Sequence, residues 1–367
     1  MADLKIRIFQ PIVPEYRVAL FDGLAEKYGE HIEIWAAENM GNDVSYPLVK
    51  MRYDYNHPLK KVGPFVWQEE LSLIGLRRGD VAVVCGDIHQ LSSLWVALKA
   101  KMRGVKVVWW GHHVSALANE RNVRIRLWIA KRLSDVYLCY TDVGVAYLEQ
   151  KGFKQGHVFA TGNTIDLKSV EQATKMWDGV RKFGNKKTLL FCGVLRDKVR
   201  VDVLLRALKI LSDRRDDLHC IIIGGGEMGA VWKRLAVKLG VDSLVTWVGE
   251  VRGQDKLAPW FLSSDLFVYP GRIGLSLIHA FSFGLPVVLN DNRCNHGPEY
   301  EAFHPGENGW SFHENDEVDL AQQIDVALHA SDLRTRGFVG KDYVFKNYSM
   351  SRMIERTSEA IEAAANQ

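Results

Sequence analysis

No apolar stretch in this sequence approaches the roughly 18 residues that a membrane-spanning helix requires, so any work at a membrane is done from its surface. The opening, MADLKIRIFQPIVPEYR, places charges and prolines where a signal peptide needs an apolar core, which points to a cytoplasmic chain. Cysteine is sparse. Cys85, Cys139, Cys192, Cys220 and Cys294 are scattered, odd in number and without metal-ligand or redox spacing. Most sit in strand-like runs such as VAVVC and HCIII, and they read as reduced, buried thiols. An excess of either charge is also missing. The 47 basic and 44 acidic residues leave a net +3, which argues against a nucleic-acid partner. The 12 histidines show no metal-ligand spacing, and no low-complexity tract or solenoid repeat occurs.

What is present is alternation. KIRIFQP precedes the amphipathic stretch YRVALFDGLAEKYG and then IEIWAA; DVAVVCGD precedes SSLWVALKAKMRG and then KVVWWG. Short apolar runs separated by helical stretches imply a parallel sheet covered on both faces. The pattern restarts at TLLFCGV and continues through HCIIIGGG, VTWVGE, LFVYPG and LPVVLND. At about 150 residues per domain, 367 residues make two domains. The expected division is residues 1–165, a linker at 166–187, a second domain at 188–342 and closing helices at 343–367. In doubly wound sheets ligands bind beyond the carboxyl ends of the strands, so the loops there carry the candidate chemistry.

The most informative loop lies in Tyr269–Leu289, YPGRIGLSLIHAFSFGLPVVL. Gly271 and Gly274 separate a strand from a helix that begins near Leu275. Glycines there let a ligand approach the backbone, and the first-turn amides and helix dipole favour an anion. An ordinary strand–loop–helix turn has the same spacing. After FCG, the cations Arg196 and Lys198 stand in another such loop, where they are either solvated charges or neutralisers of a diphosphate leaving group.

Tyr269–Leu289 resembles the donor-site signature of glycosyltransferase family 4, a retaining GT-B family. Its usual form is a glutamate, Gly-Phe-Gly, a short apolar run, a second glutamate, then Ala and later Gly-x-Pro-Val. Gly274, Leu275, Ala280, Gly284, Pro286 and Val287 match in register. Gly271 stands at the first glutamate and His279 at the second, as in a subset of bacterial polysaccharide transferases with Gly-Leu-x-x-x-His. The likeness extends through IIIGGGEM with Gly224, Gly225 and Gly226, through VTWVGEV, and to Glu299 followed by GENGW.

The resemblance implies an α/β, GT-B fold of two facing Rossmann-like, doubly wound domains. It implies transfer of a sugar, with retention, from a UDP- or GDP-linked donor to a sugar or lipid-linked glycan hydroxyl. Neither a divalent metal nor a further cofactor is implied, and the setting is polysaccharide or glycan synthesis. Donor contacts carried over are Gly193, Gly225, Val251, Arg272, Gly274, Leu275, Ser276 and Glu299, with His279 in the ribose-binding place. The family's arginine and lysine fall on Val194 and Val199 in ungapped register. A loop shifted by one or two residues presents Arg196 and Lys198 instead. Two other readings stay open: a nucleotide-sugar-binding relic without activity, and a GT-B sugar-nucleotide epimerase.

In the first half, KVVWWGHHVS puts His112 and His113 after a buried strand, where family members often carry a histidine at the sugar; one of the two is expected there. Tyr16 and Arg17 after the first strand, and Asp87 and His89 after VAVVCG, are acceptor-side candidates. From Lys99 to Arg132 nine basic residues face a single acid, Glu120. The arginines of Arg121–Leu133 alternate with apolar residues, a pattern that suits either contact with an anionic membrane or an ordinary covering helix.

Overall fold

The computed structural model describes residues 4–41, 43–112, 120–177, 179 and 185–367. It divides into two compact units, Met1–Asn163 with Met350–Gln367, and Thr164–Ser349. In the first unit the central strands are β1 (Ile6–Phe9), β2 (Ile32–Trp35), β3 (Arg52–Asp54), β4 (Val81–Cys85), β5 (Lys106–Trp110), β6 (Val136–Cys139) and β7 (Val158–Ala160). Their order is β7-β6-β5-β4-β1-β2-β3, and the pairings are parallel. The second unit holds β8 (Lys187–Cys192), β9 (Leu218–Ile223), β10 (Val245–Gly249), β11 (Leu266–Tyr269), β12 (Val287–Asn290) and β13 (Gly309–Phe312). Their order is β10-β9-β8-β11-β12-β13, again parallel.

The strands form because they carry β-branched and aromatic residues without a polar face. VYLC, LFVY, VVLN and LHCIII are buried at every position, as strands covered on both faces must be. The first unit's helices are α1 (Val18–Tyr28), α2 (Leu91–Arg103), α3 (Glu120–Leu133) and α4 (Asp142–Gln150). The second unit has α5 (Leu167–Met176), α6 (Val201–Ser212), α7 (Gly229–Leu239), α8 (Gln254–Leu262), α9 (Leu275–Ser282), α10 (Glu317–His329) and α11 (Leu333–Asn347). In α6 Val201, Leu204, Leu205, Leu208 and Leu211 recur at helical spacing and are buried. Each contributes about 1.5–3 kcal/mol relative to exposure.

Two segments differ from the sequence expectation. The stretch read as a linker at 166–187 contains α5, whose Leu167, Val170 and Ala173 join the second unit's core. The closing segment at 343–367 divides between units. Its last helix, α12 (Met350–Ala365), buries Met353, Ala360, Ile361 and Ala364 in the core of the first unit. There Tyr28 Oη donates to Glu362 at 3.1 Å, and Arg356 pairs with Asp142 at 3.1 Å. The cysteines are not uniformly buried: Cys294 is exposed, because it lies in a surface turn outside the strands.

Each sheet has one point where the order of strands reverses. In the first it lies between β1 and β4, in the second between β8 and β11. A crevice opens at the carboxyl edge of such a point, because successive connections leave it in opposite directions.

Candidate functional site

In the second unit the loops after β8 and β11 flank the reversal. They are bonded to each other: Arg272 N donates to Lys198 O at 2.9 Å and Gly271 N to Val199 O at 3.1 Å. The approach is so close that a Cβ at Gly271 would lie 2.2 Å from Lys198 O. This accounts for the glycine where the resembling family has a glutamate. The loop after β8 is tied equally to the glycine turn after β9, through Gly193 N to Ile223 O at 3.0 Å and Leu195 N to Gly225 O at 2.8 Å.

These bonds bring three cations together. All three are exposed on the surface; partial desolvation and the neighbouring Arg272 and Arg196 guanidinium groups still press the Lys198 ammonium below its ordinary pKa. Among the described residues none of the three has an ion-pair partner, whereas Arg200 in the same loop is neutralised by Asp202 at 3.0 Å. Like charges held together without counter-ions favour a ligand of high negative charge density. Beside them α9 begins after Gly274, which has no side chain to cap the helix, so Gly274 itself offers no acceptor to the first-turn amides of Leu275 and Ser276. The Ser276 side chain lies close to the Tyr269 hydroxyl. Glu299, buried, places its carboxylate beside Gly274: a Cβ there would stand 3.6 Å from Glu299 Oε2. Gly193, Arg196, Lys198, Gly225, Arg272, Gly274, Leu275, Ser276 and Glu299 therefore occupy one carboxyl-edge cluster. Val251, after β10, is half-buried and packs against the core of the second unit.

His279 has a different setting from the others. Its Nε2 lies 2.9 Å from the Gln254 side-chain nitrogen, at the start of α8, and burial lowers its pKa to about 4. Three supporting residues had not been singled out from the sequence. Asn290, at the end of β12, donates to Pro270 O at 2.8 Å and to Gly271 O at 3.1 Å. His296 accepts from Ile273 N at 3.2 Å through Nδ1, which leaves its Nε2–H to donate to Asn290 O at 3.0 Å. Gln254 is the third. A polar residue closing an apolar strand was the available signal for Asn290; His296 and Gln254 carried none.

Burial also lowers His296 to about 4, despite its bond to Asn290. Both imidazoles are neutral in the fold, while unfolded histidine titrates near ~6.5. Below that value the unfolded chain binds protons that the folded one refuses. Their contribution is thus complete above about pH 6.5 and is lost as pH falls toward 4. The melting temperature should drop between pH 7 and 5, and by less in His279→Gln and His296→Gln. An unchanged pH slope in both variants would show that neither histidine is held neutral.

In the first unit, Arg17 lies beside the reversal. Its Nη2 donates to Tyr140 Oη at 2.7 Å and its guanidinium covers the Trp110 ring at 4.5 Å. His112 packs on Tyr140 with ring centroids 4.6 Å apart, and Tyr16 flanks Arg17. His113 lies outside the described residues. Asp87 and His89 are exposed and bond each other at 2.9 Å, fixing the turn that leads into α2. The structure thus groups Tyr16, Arg17 and His112 and engages Asp87 and His89 with each other.

Residues 174–337, inside the second unit, match the family described as glycosyl transferases group 1. An uncharacterized glycosyltransferase of Haemophilus influenzae is 24% identical over 330 residues, 89% of this chain and 84% of that protein. A D-inositol 3-phosphate glycosyltransferase of Streptomyces scabiei is 34% identical over 111 residues, 27% of this chain and 25% of that protein. Among solved structures, Anabaena Alr3699/HepE in complex with UDP superposes with a TM-score of 0.70 at 14% identity, covering 98% of this chain and 100% of that one. The architecture is GT-B.

Proposed function

We propose, for a GT-B protein whose second unit is a group 1 glycosyltransferase domain, transfer of a sugar from a nucleoside diphosphate donor to a hydroxyl acceptor with retention at the anomeric carbon. The observation that carries it is the grouping of Arg196, Lys198 and Arg272, which have no ion-pair partner among the described residues, beside the glycine-led N-terminus of α9. In the reaction the bond from the anomeric carbon to the diphosphate oxygen breaks and a bond to the acceptor oxygen forms. The acceptor proton passes to the departing diphosphate on the same face. The charge that develops there is met by the three cations and the first-turn amides. A UDP- or GDP-linked sugar fits this demand. His279, through its pairing with Gln254, supports the nucleoside end; His112 or His113 meets the transferred sugar.

Because side-chain cations neutralise the diphosphate, transfer should proceed at full rate in excess EDTA. Incubation of the protein with nucleotide sugars should release nucleoside diphosphate, slowly without acceptor and faster with one. Loss of activity on chelation, restored by magnesium or manganese, would remove the side-chain cations from this role. Conversion of the donor to another nucleotide sugar without an acceptor would make the protein an epimerase, and binding without turnover a non-catalytic relic.

The setting we propose is glycan assembly at the cytoplasmic face of an anionic membrane. Among the described residues no helix is long and apolar enough to cross a membrane. However, α2 and α3 cover the same face of the first sheet and leave Trp95, Leu98, Met102, Ile125 and Trp128 exposed. Lys99 lies over Trp95 and Arg132 over Trp128, while Arg124 and Lys131 are exposed nearby. Arg126 is half-buried, so it does not belong to this outer face. Each basic residue near an anionic surface contributes roughly 1 kcal/mol. Arg124→Glu, Lys131→Glu and Arg132→Glu together should abolish sedimentation with phosphatidylserine vesicles at low salt and leave donor binding intact. If wild-type protein ignores such vesicles, these helices are scaffold only.

A further inference from the structure

Arg17 is buried, with 9% of its surface exposed, and no carboxylate within ion-pair distance among the described residues. A second buried arginine in the same unit, Arg7 of β1, shows the contrast. Arg7 gives Nε to Glu33 at 2.6 Å and Nη1 to Ser72 O at 2.7 Å. Arg17 bonds only neutral groups: Tyr140 Oη at 2.7 Å and, at a long 3.5 Å, Gln10 Oε1. Its Nε has no partner. Nearby Asp87 bonds His89 instead. A guanidinium removed from water without a counter-ion is unfavourable unless something supplies the missing negative charge.

The position of this charge is informative. Arg17 follows β1, Cys85 ends β4, Trp110 ends β5 and Tyr140 follows β6, so the group occupies the carboxyl edge at the reversal of the first sheet. That place corresponds to the one the three cations hold in the second sheet. Tyr140 accepts from Arg17 and keeps its own proton, because burial raises its pKa against the pull of Arg17. Its hydroxyl can donate onward. Exposed Tyr16 and His112 lie against Arg17 and Tyr140 respectively.

We propose that the acceptor carries an anionic oxygen group, a phosphate or a carboxylate, and that Arg17 and Tyr140 bind it. The inference rests on the transferase reading for the word acceptor, but the anion site stands on the first unit alone. An arginine matches either group through two parallel bonds, and displacing the long contact to Gln10 frees Nη1 for one of them.

The test uses the full chain carrying Arg196→Ala and Lys198→Ala, so that the donor cations do not supply the signal. Methyl phosphate and glucuronate are titrated by calorimetry and thermal shift. One of them should bind, which distinguishes a phosphorylated acceptor from an acidic sugar, and Arg17→Met should weaken that binding at least tenfold. Tyr140→Phe, which keeps the charge and the ring, should weaken it severalfold. Without ligand, Arg17→Met should melt no lower than its parent, since it removes an unmet charge; an arginine kept for packing alone would melt lower. Binding of neither anion at millimolar concentration, or equal affinity in Arg17→Met, overturns the proposal. Nucleoside diphosphate binding is measured separately on unmodified protein, so failure of the donor reading is seen independently.

Discussion

Arg196→Ala, Lys198→Ala and Arg272→Ala should each weaken nucleoside diphosphate binding by roughly tenfold to a hundredfold, because a charged hydrogen bond contributes about 1.5–3 kcal/mol. The effects should not simply add. Each cation raises the potential felt by the other two, which adds to desolvation in lowering the Lys198 pKa, so removing one relieves repulsion in the ligand-free protein as well. Arg200→Ala is the internal comparison. Its charge is already neutralised by Asp202, and affinity should change little. Calorimetry with UDP and GDP distinguishes these cases. Unchanged affinity in all three cation variants would end the donor-site assignment.

Gly224→Ala should be the most damaging single methyl group in the second unit. The residue has φ +142°, a region open to glycine and strained for other residues, and an added Cβ would lie 1.9 Å from Gly193 O. Both partners are backbone, so no side chain can swing aside. The turn after β9 and the loop after β8 must separate, which threatens the bond from Leu195 N to Gly225 O and displaces Arg196 and Lys198. We expect a loss of about 2–4 kcal/mol, lowering the melting temperature by on the order of 10 °C, together with donor binding. Gly306→Ala controls for backbone strain alone. Its φ is +87° but nothing lies within 4 Å of the added atom. If the two variants melt alike and both bind donor, the close approach at Gly224 is not structurally required.

The architecture was legible in sequence because doubly wound strands are apolar on both faces and announce themselves as unbroken runs: VAVVC, KVVWW and HCIII lie in strands. The loops after β8 and β11 were legible as cationic and glycine-rich, but not as partners. The contact of Gly271 with Lys198 joins distant residues, and spacing along a chain carries no such information. Asp87 and His89 looked like free acceptor contacts and bond each other. The isolation of Arg17 was equally invisible. A missing counter-ion is a property of the whole neighbourhood, and Arg7 and Arg17 read alike in one dimension.

The return of α12 to the first unit has a consequence for synthesis. The sheet that begins with Ile6 is finished by a helix that ends at Ala365, and all of Thr164–Ser349 is made in between. At 5–20 residues per second this interval lasts on the order of 10–40 s on the ribosome. During it Leu20, Leu24 and neighbouring apolar residues of the first core lack the cover that Met353, Ile361 and Ala364 will give them. The second unit can close first, and the nascent first unit waits with a hydrophobic seam exposed, the state in which a chaperone or a neighbouring chain would find it.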